Sequence, residues 1–178
     1  MIKLKDILKE ERVMKLRIFD FDDTLVKSNS RVKVIDKDGK ERWLTAGEYA
    51  VYQKQPGETF DYTEFEQVKE PKEIKAITKV LRKFYHACGD RRITILTARG
   101  IVKPIEDFLK TIGIQNVEIV AVNSSDPQKK ADWIEDKISQ GYNDIFFIDD
   151  SPKNVAVVNK FKSQYPDVKW EVRLAKYS

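Results

Sequence analysis

From residue 15 onward, short apolar runs alternate with longer stretches in which apolar residues return every three or four positions. Leu16, Ile18 and Phe19 form the first run, and Arg92–Leu96, Val117–Val122 and Ile145–Ile148 repeat it. Each is the length of a buried strand. Between them, Ile74, Ile77, Val80, Leu81 and Phe84 keep helical spacing, as do Ile105, Phe108 and Leu109, then Trp133, Ile134 and Ile138, then Val155, Val158 and Phe161. Pro71, Pro104, Pro127 and Pro152 stand where these helices should open, and Gly89, Gly113 and Gly141 where three of them should stop. Residues 168–174 alternate as a closing edge strand. Strand and helix in turn, joined by right-handed crossovers, predict an α/β fold: a mostly parallel sheet of about five strands with helices on both faces.

Two stretches depart from this rhythm. Arg31–Ile35 and Glu41–Thr45 flank an Asp-Gly turn at 36–40 and read as a hairpin; Asp36 and Asp38 lack the later oxygen ligands of a calcium loop. Residues 46–70 are irregular and aromatic, with Tyr49, Tyr52, Phe60, Tyr62 and Phe65 around Pro56-Gly57. They read as part of a small insert, about 28–70, over the mouth of a site. Its rings either fill its own small core or stack on a substrate. Residues 1–14, with Leu4, Ile7 and Leu8 on one face, read as an N-terminal amphipathic helix rather than a signal peptide or membrane span. The remainder, 15–178, reads as one domain without repeats or low-complexity segments.

Composition narrows the setting. The 178 residues are 41% hydrophobic and 35% charged, with 33 Lys and Arg against 29 Asp and Glu. The net charge of +4 is interleaved along the chain, which tolerates an anionic substrate without being a nucleic-acid signature. A single cysteine, Cys88, leaves no internal disulfide and no cysteine metal cage, and suits a reducing cytoplasm. The lone His86, late in a helix, reads as a dipole partner rather than a catalyst.

The chemistry lies at the strand ends. The first strand ends in Asp20-Phe21-Asp22-Asp23-Thr24, the second in Thr97-Ala98-Arg99-Gly100 and the fourth in Asp149-Asp150-Ser151. Parallel strands bring these ends to one edge of the sheet, where open α/β folds bind ligands. Carboxylates gathered in one cleft repel each other unless a cation sits among them. With only oxygen donors at hand, a hard ion such as magnesium is the natural occupant and zinc is disfavoured. Such a centre beside basic residues favours phosphoryl transfer: one aspartate attacks phosphorus while another handles the leaving-group proton.

Asp20-Phe21-Asp22-Asp23-Thr24, Thr97 after a hydrophobic strand, a lysine on the next helix and Asp149-Asp150 after the last core strand together resemble the four-motif signature of the haloacid dehalogenase (HAD) phosphatase superfamily. The resemblance spans residues 15–174. It implies a Rossmann-like three-layer α/β/α fold with a small cap after the first strand, and Mg2+ as cofactor. Asp20 would be nucleophile and metal ligand, and Asp22 the acid/base, binding the metal through its backbone carbonyl. Thr97, beside Ala98, would bind the phosphoryl group; Asp149 would ligate the metal directly and Asp150 through water or orientation. Lys129 and Lys130 compete for the lysine role, with Lys130 on the better helical face. Arg99 two residues after Thr97, and Asp126 four before Lys130, are similar to motifs of the phosphatase domain of polynucleotide kinase/phosphatase enzymes. Arg31 would supply a further arginine by spacing, while Arg99 alternatively forms a structural salt bridge.

The expected function is therefore a phosphomonoesterase working through an aspartyl-phosphate, on a nucleic-acid 3′-phosphate or a nucleotide, with no membrane and no obligate protein partner. The alternatives are a sugar or metabolite phosphatase of the same superfamily and a non-catalytic phosphate-binding module. A dehalogenase is disfavoured, since carbon–halogen cleavage needs neither the second aspartate nor the metal.

Overall fold

The computed structural model describes residues 12–87, 89 and 91–176. The expected N-terminal helix lies largely outside the described residues, as does Cys88, and residues 12–14 carry no helix. Strand β1 (Lys15–Phe19) is followed by β2 (Val26–Lys27), β3 (Arg31–Ile35), β4 (Glu41–Thr45), the one-turn helix α1 (Ala46–Ala50), β5 (Thr59–Asp61), a 3₁₀ turn (Thr63–Glu66) and β6 (Lys72–Glu73). Strand and helix then alternate through α2 (Lys75–His86), β7 (Arg92–Thr97), α3 (Lys103–Thr111), β8 (Glu118–Ala121), α4 (Pro127–Ser139), β9 (Asp144–Asp149), α5 (Pro152–Gln164) and β10 (Lys169–Leu174).

Five strands form one all-parallel sheet in the order β10-β9-β1-β7-β8. The period-two alternation of side chains explains its two covered faces. Leu16 and Ile18 of β1 join Ile145 and Phe147 of β9 beneath α4 and α5, whose Ala131, Ile134, Val158 and Phe161 close that core. Phe19, Phe146 and Ile148 point the other way, into a core with Ile77 and Leu81 of α2 and Ile105, Phe108 and Leu109 of α3. Phe84 seals this second core edge-on, 6.1 Å from Phe19 and 5.3 Å from Phe146 between ring centroids. Because the chain adds β7 and β8 on one side of β1 and then β9 and β10 on the other, strand order reverses at β1. Ligand sites of open sheets lie at such a reversal.

Residues 28–71 leave this framework and return through a neck, the antiparallel β2–β6 pair in which Val26 faces Glu73 and Lys27 faces Lys72. Within the excursion, β4-β3-β5 is an antiparallel sheet with Val32 opposite Leu44 and Val34 opposite Phe60. The Asp36 carboxylate accepts the N–H groups of Asp38 and Lys40, both at 2.9 Å, and Gly39 takes a φ of 81°. This is turn chemistry, as the residue pattern anticipates. Pro71 corrects the sequence reading: it opens no helix but precedes β6, and α2 starts at Lys75. Edge pairing with Val26–Lys27 takes those residues instead. No helix among the described residues is long and apolar enough to cross a membrane.

Candidate active site

The loop after β1 is built on a buried phenylalanine. Phe21 is 0% exposed and packs on Phe108, with ring centroids 5.7 Å apart, and its carbonyl accepts from the N–H groups of Leu25 and Val26 at 2.9 and 3.2 Å. Anchoring the middle residue turns Asp20 and Asp22, on either side of it, toward the cleft at the sheet edge. Asp23 closes the turn in the left-handed region, φ 54°, with its N–H on the Val26 carbonyl at 2.8 Å. An aspartate tolerates this conformation better than most residues.

Lys130 joins two strand ends. Its Nζ lies 2.7 Å from Asp20 Oδ1 and 2.7 Å from Asp149 Oδ2, with the lysine 2% exposed. Burial works against its charge, yet the Asp149 and Asp20 carboxylates hold the ammonium above its ordinary range. Thr24 Oγ1 donates to the other oxygen of Asp20 at 3.0 Å. Asp149 also accepts from the Ser151 N–H at 2.8 Å and from Asn154 Nδ2 at 3.1 and 3.0 Å.

Carboxylate charge exceeds what Lys130 neutralises. Oxygens of Asp20, Asp149 and Asp150 lie within 4.8 Å of one another. Burial, followed by the charges of Asp20, Asp149 and Asp23, pushes the Asp150 carboxyl up to about 9. Burial likewise raises Asp149, with Lys130 opposing and Asp20 adding to the shift. This all-oxygen, electron-rich set fits a hard divalent cation and lacks the nitrogen and sulfur donors that softer ions prefer.

Asp22 does not share in this triad through its side chain. Arg99 Nε donates to its Oδ2 at 2.8 Å and Nη2 to its Oδ1 at 2.7 Å. Nη1 of the same guanidinium donates to the carbonyls of Phe65 and Gln67, both at 2.8 Å. Arg99 is 4% exposed and lies between Phe65 and Phe21, its Cζ 4.8 and 5.5 Å from the two ring centroids. Of the two roles the sequence allowed it, the observed one is the salt bridge, and it ties the excursion to the loop after β1.

A cleft of about 990 Å³ runs from the aspartates and Lys130 to Tyr49, Tyr52, Phe60, Tyr62 and Phe65 of the excursion. The rings meet edge to face, Tyr49 and Phe60 at 5.3 Å and Tyr49 and Tyr62 at 5.7 Å. Tyr49 Oη donates to Ser125 Oγ at 2.6 Å and lies 2.7 Å from Tyr62 Oη. Across the opening, Lys153 Nζ donates to the Tyr52 carbonyl at 2.7 Å.

The structure thus brings together Asp20, Asp22, Ala98, Arg99, Lys130, Asp149 and Asp150 along one cleft. Lys129, one residue from Lys130, is exposed on α4. Three other expected residues stand elsewhere. Thr97 is 0% exposed and does not line the cleft, its Oγ1 accepting from the Arg99 N–H at 3.2 Å. Asp126 caps α4, accepting from the Gln128 N–H at 2.9 Å, and so sets where the helix that carries Lys130 begins. Arg31 stacks on Trp43 at 4.6 Å and pairs with Glu64 at 3.4 Å in a separate surface depression. Sequence reasoning passed over Ser151 and Asn154, although a serine and asparagine around Pro152, directly after two acids, mark a helix start able to hold one of them. It also passed over Asn123, which lines the cleft with its side chain close against Gly100. Comparison with protein-family models, with curated proteins and with solved structures yields no match.

Proposed function

We propose that the protein is a magnesium-dependent phosphomonoesterase of the HAD type, with Asp20 as nucleophile and the 28–70 insert as a small cap on a Rossmann-like core. The observation that carries this reading is Asp20 itself: a buried carboxylate at the end of the central strand, held by Lys130 and Thr24 and facing a cleft. Hydrogen bonds to both of its oxygens fix its direction before a substrate arrives, which is the pre-organisation a nucleophile needs.

In the proposed reaction, an oxygen of Asp20 attacks phosphorus and the bond to the leaving alcohol breaks. Asp22 gives the departing oxygen its proton and then takes one from water, which attacks the aspartyl-phosphate, releasing inorganic phosphate and restoring Asp20. Arg99 sets the direction of Asp22 through both carboxylate oxygens. Lys130 neutralises charge between Asp20 and Asp149. Asp20, Asp149 and Asp150 would hold the Mg2+, which would supply charge neutralisation for the phosphoryl oxygens.

Hydrolysis of p-nitrophenyl phosphate, with magnesium and with a chelator, tests the reading. Metal-dependent turnover supports it; a folded protein with no turnover on any phosphomonoester overturns it.

A further inference from the structure

The acidic end of the cleft accounts for a phosphoryl group, but the space of about 990 Å³ extends beyond it to the excursion's rings. The rest is walled by the excursion's rings, whose burial is informative. Rings that served only as a core would be covered, as Phe19, Phe21, Phe146 and Phe147 are. Here Tyr49, Tyr52, Phe60 and Phe65 remain half-buried and Tyr62 is 43% exposed, while the excursion's buried apolar residues are Val32, Val34 and Leu44. The rings therefore rest on a core made by other side chains and present surface to the cleft.

The polar groups beside the rings separate candidate ligands. Glu58 is taken by Arg42 and Tyr52, and Asp61 by Thr63, and neither lines the cleft, so Glu66 is the excursion's carboxylate there and the paired carboxylates that grip a sugar's hydroxyls are not assembled at the rings. Beside Glu66 and Thr63, the ring end carries the hydroxyl trio of Tyr49, Tyr62 and Ser125, together with Lys54, whose Nζ lies 5.4 Å from the Phe60 centroid. Aromatic faces with a few hydroxyl donors and acceptors at the edge suit a planar heterocycle. Three ties also close the excursion against the core: Arg99 to Phe65 and Gln67, Tyr49 to Ser125, and Lys153 to Tyr52. A continuous polymer would have to pass between them, whereas a single nucleotide fits inside.

From these observations we infer that the ring-lined half of the cleft takes the base of a nucleoside monophosphate, making a mononucleotide the substrate of the reaction proposed above, on which this inference rests. Tyr62, the most exposed ring, is a specificity-determining contact.

The test separates the two claims by measuring binding as well as turnover. AMP, UMP, ribose 5-phosphate and a 3′-phosphorylated oligonucleotide are titrated calorimetrically into the Asp20→Asn variant with magnesium, and their hydrolysis is followed with the unaltered protein. Base stacking predicts that the mononucleotides bind about ten- to a hundredfold tighter than ribose 5-phosphate. Tyr62→Leu in the same background, which keeps apolar bulk at an exposed position without a ring, should collapse that ratio at least about fivefold. Hydrolysis with no preference for a base removes the nucleotide subsite and leaves the phosphatase standing. A base preference without hydrolysis of any of these phosphates does the reverse. Tighter binding of the oligonucleotide than of either mononucleotide overturns the inference in favour of a polymer, as does an unchanged ratio in folded Tyr62→Leu.

Discussion

Arg99 grips Asp22 through two parallel bonds of 2.8 and 2.7 Å while its third nitrogen holds the carbonyls of Phe65 and Gln67. One buried guanidinium therefore fixes the proposed acid/base and the excursion together. A lysine keeps the charge but not the planar fork. Arg99→Lys is expected to lower kcat about a hundredfold, since small misplacements of a catalytic group have effects of that order. The loss should be larger for alkyl phosphates than for p-nitrophenyl phosphate, whose leaving group needs little protonation. Steady-state kinetics on both substrates check this, and equal losses would mean that Arg99 does not act through Asp22.

Lys130 is buried between two buried carboxylates. Lys130→Met leaves Asp20 and Asp149 facing each other uncompensated, a change expected to destabilise the fold by about 3–5 kcal/mol. Urea denaturation measures this, and magnesium should restore part of the loss if these carboxylates hold the ion.

Stability of the metal-free protein should fall with rising pH. Asp150 is raised by burial and by its acidic neighbours to about 9, above the ordinary aspartate value of about 3.9. A carboxyl raised on folding contributes fully below its unfolded value and loses that contribution as pH climbs through the folded one. The window is therefore about pH 4 to about pH 9. Melting temperatures across it, with chelator and with magnesium, check the sign: the decline should be steep with chelator and shallow with the ion. A metal-free protein that gains stability over this window would contradict the site electrostatics.

Much of this arrangement is legible in the sequence because period and position are local. Leu16 and Ile18 alternate against Phe19 as a strand buried on both faces must, and the acids that follow each core strand reach one edge because parallel strands share a direction. Lys130 over Lys129 follows from a hundred-degree step around one helix. Long-range partners carry no such signal. Nothing near Arg99 in the chain announces Asp22, which is 77 residues away, or the carbonyls at 65 and 67. The surroundings of Arg31 are hidden for a related reason: spacing places it on a strand, but the pairing of β3 with β4 puts it beside Trp43, and it pairs with Glu64. The β2–β6 neck that displaces the start of α2 past Pro71 is likewise made by residues far apart in sequence.

If Asp20 attacks phosphorus and Asp22 completes the cycle, the phosphoryl group passes through Asp20. Acid-quenched intact-mass analysis, with peptide mapping, of the Asp22→Asn variant after mixing with p-nitrophenyl phosphate and magnesium locates it. Slowing the hydrolytic half-reaction should leave a single phosphoryl adduct on Asp20, absent from Asp20→Asn, which should itself be inactive. An adduct on another residue, or near-normal turnover in Asp20→Asn, would contradict the assignment.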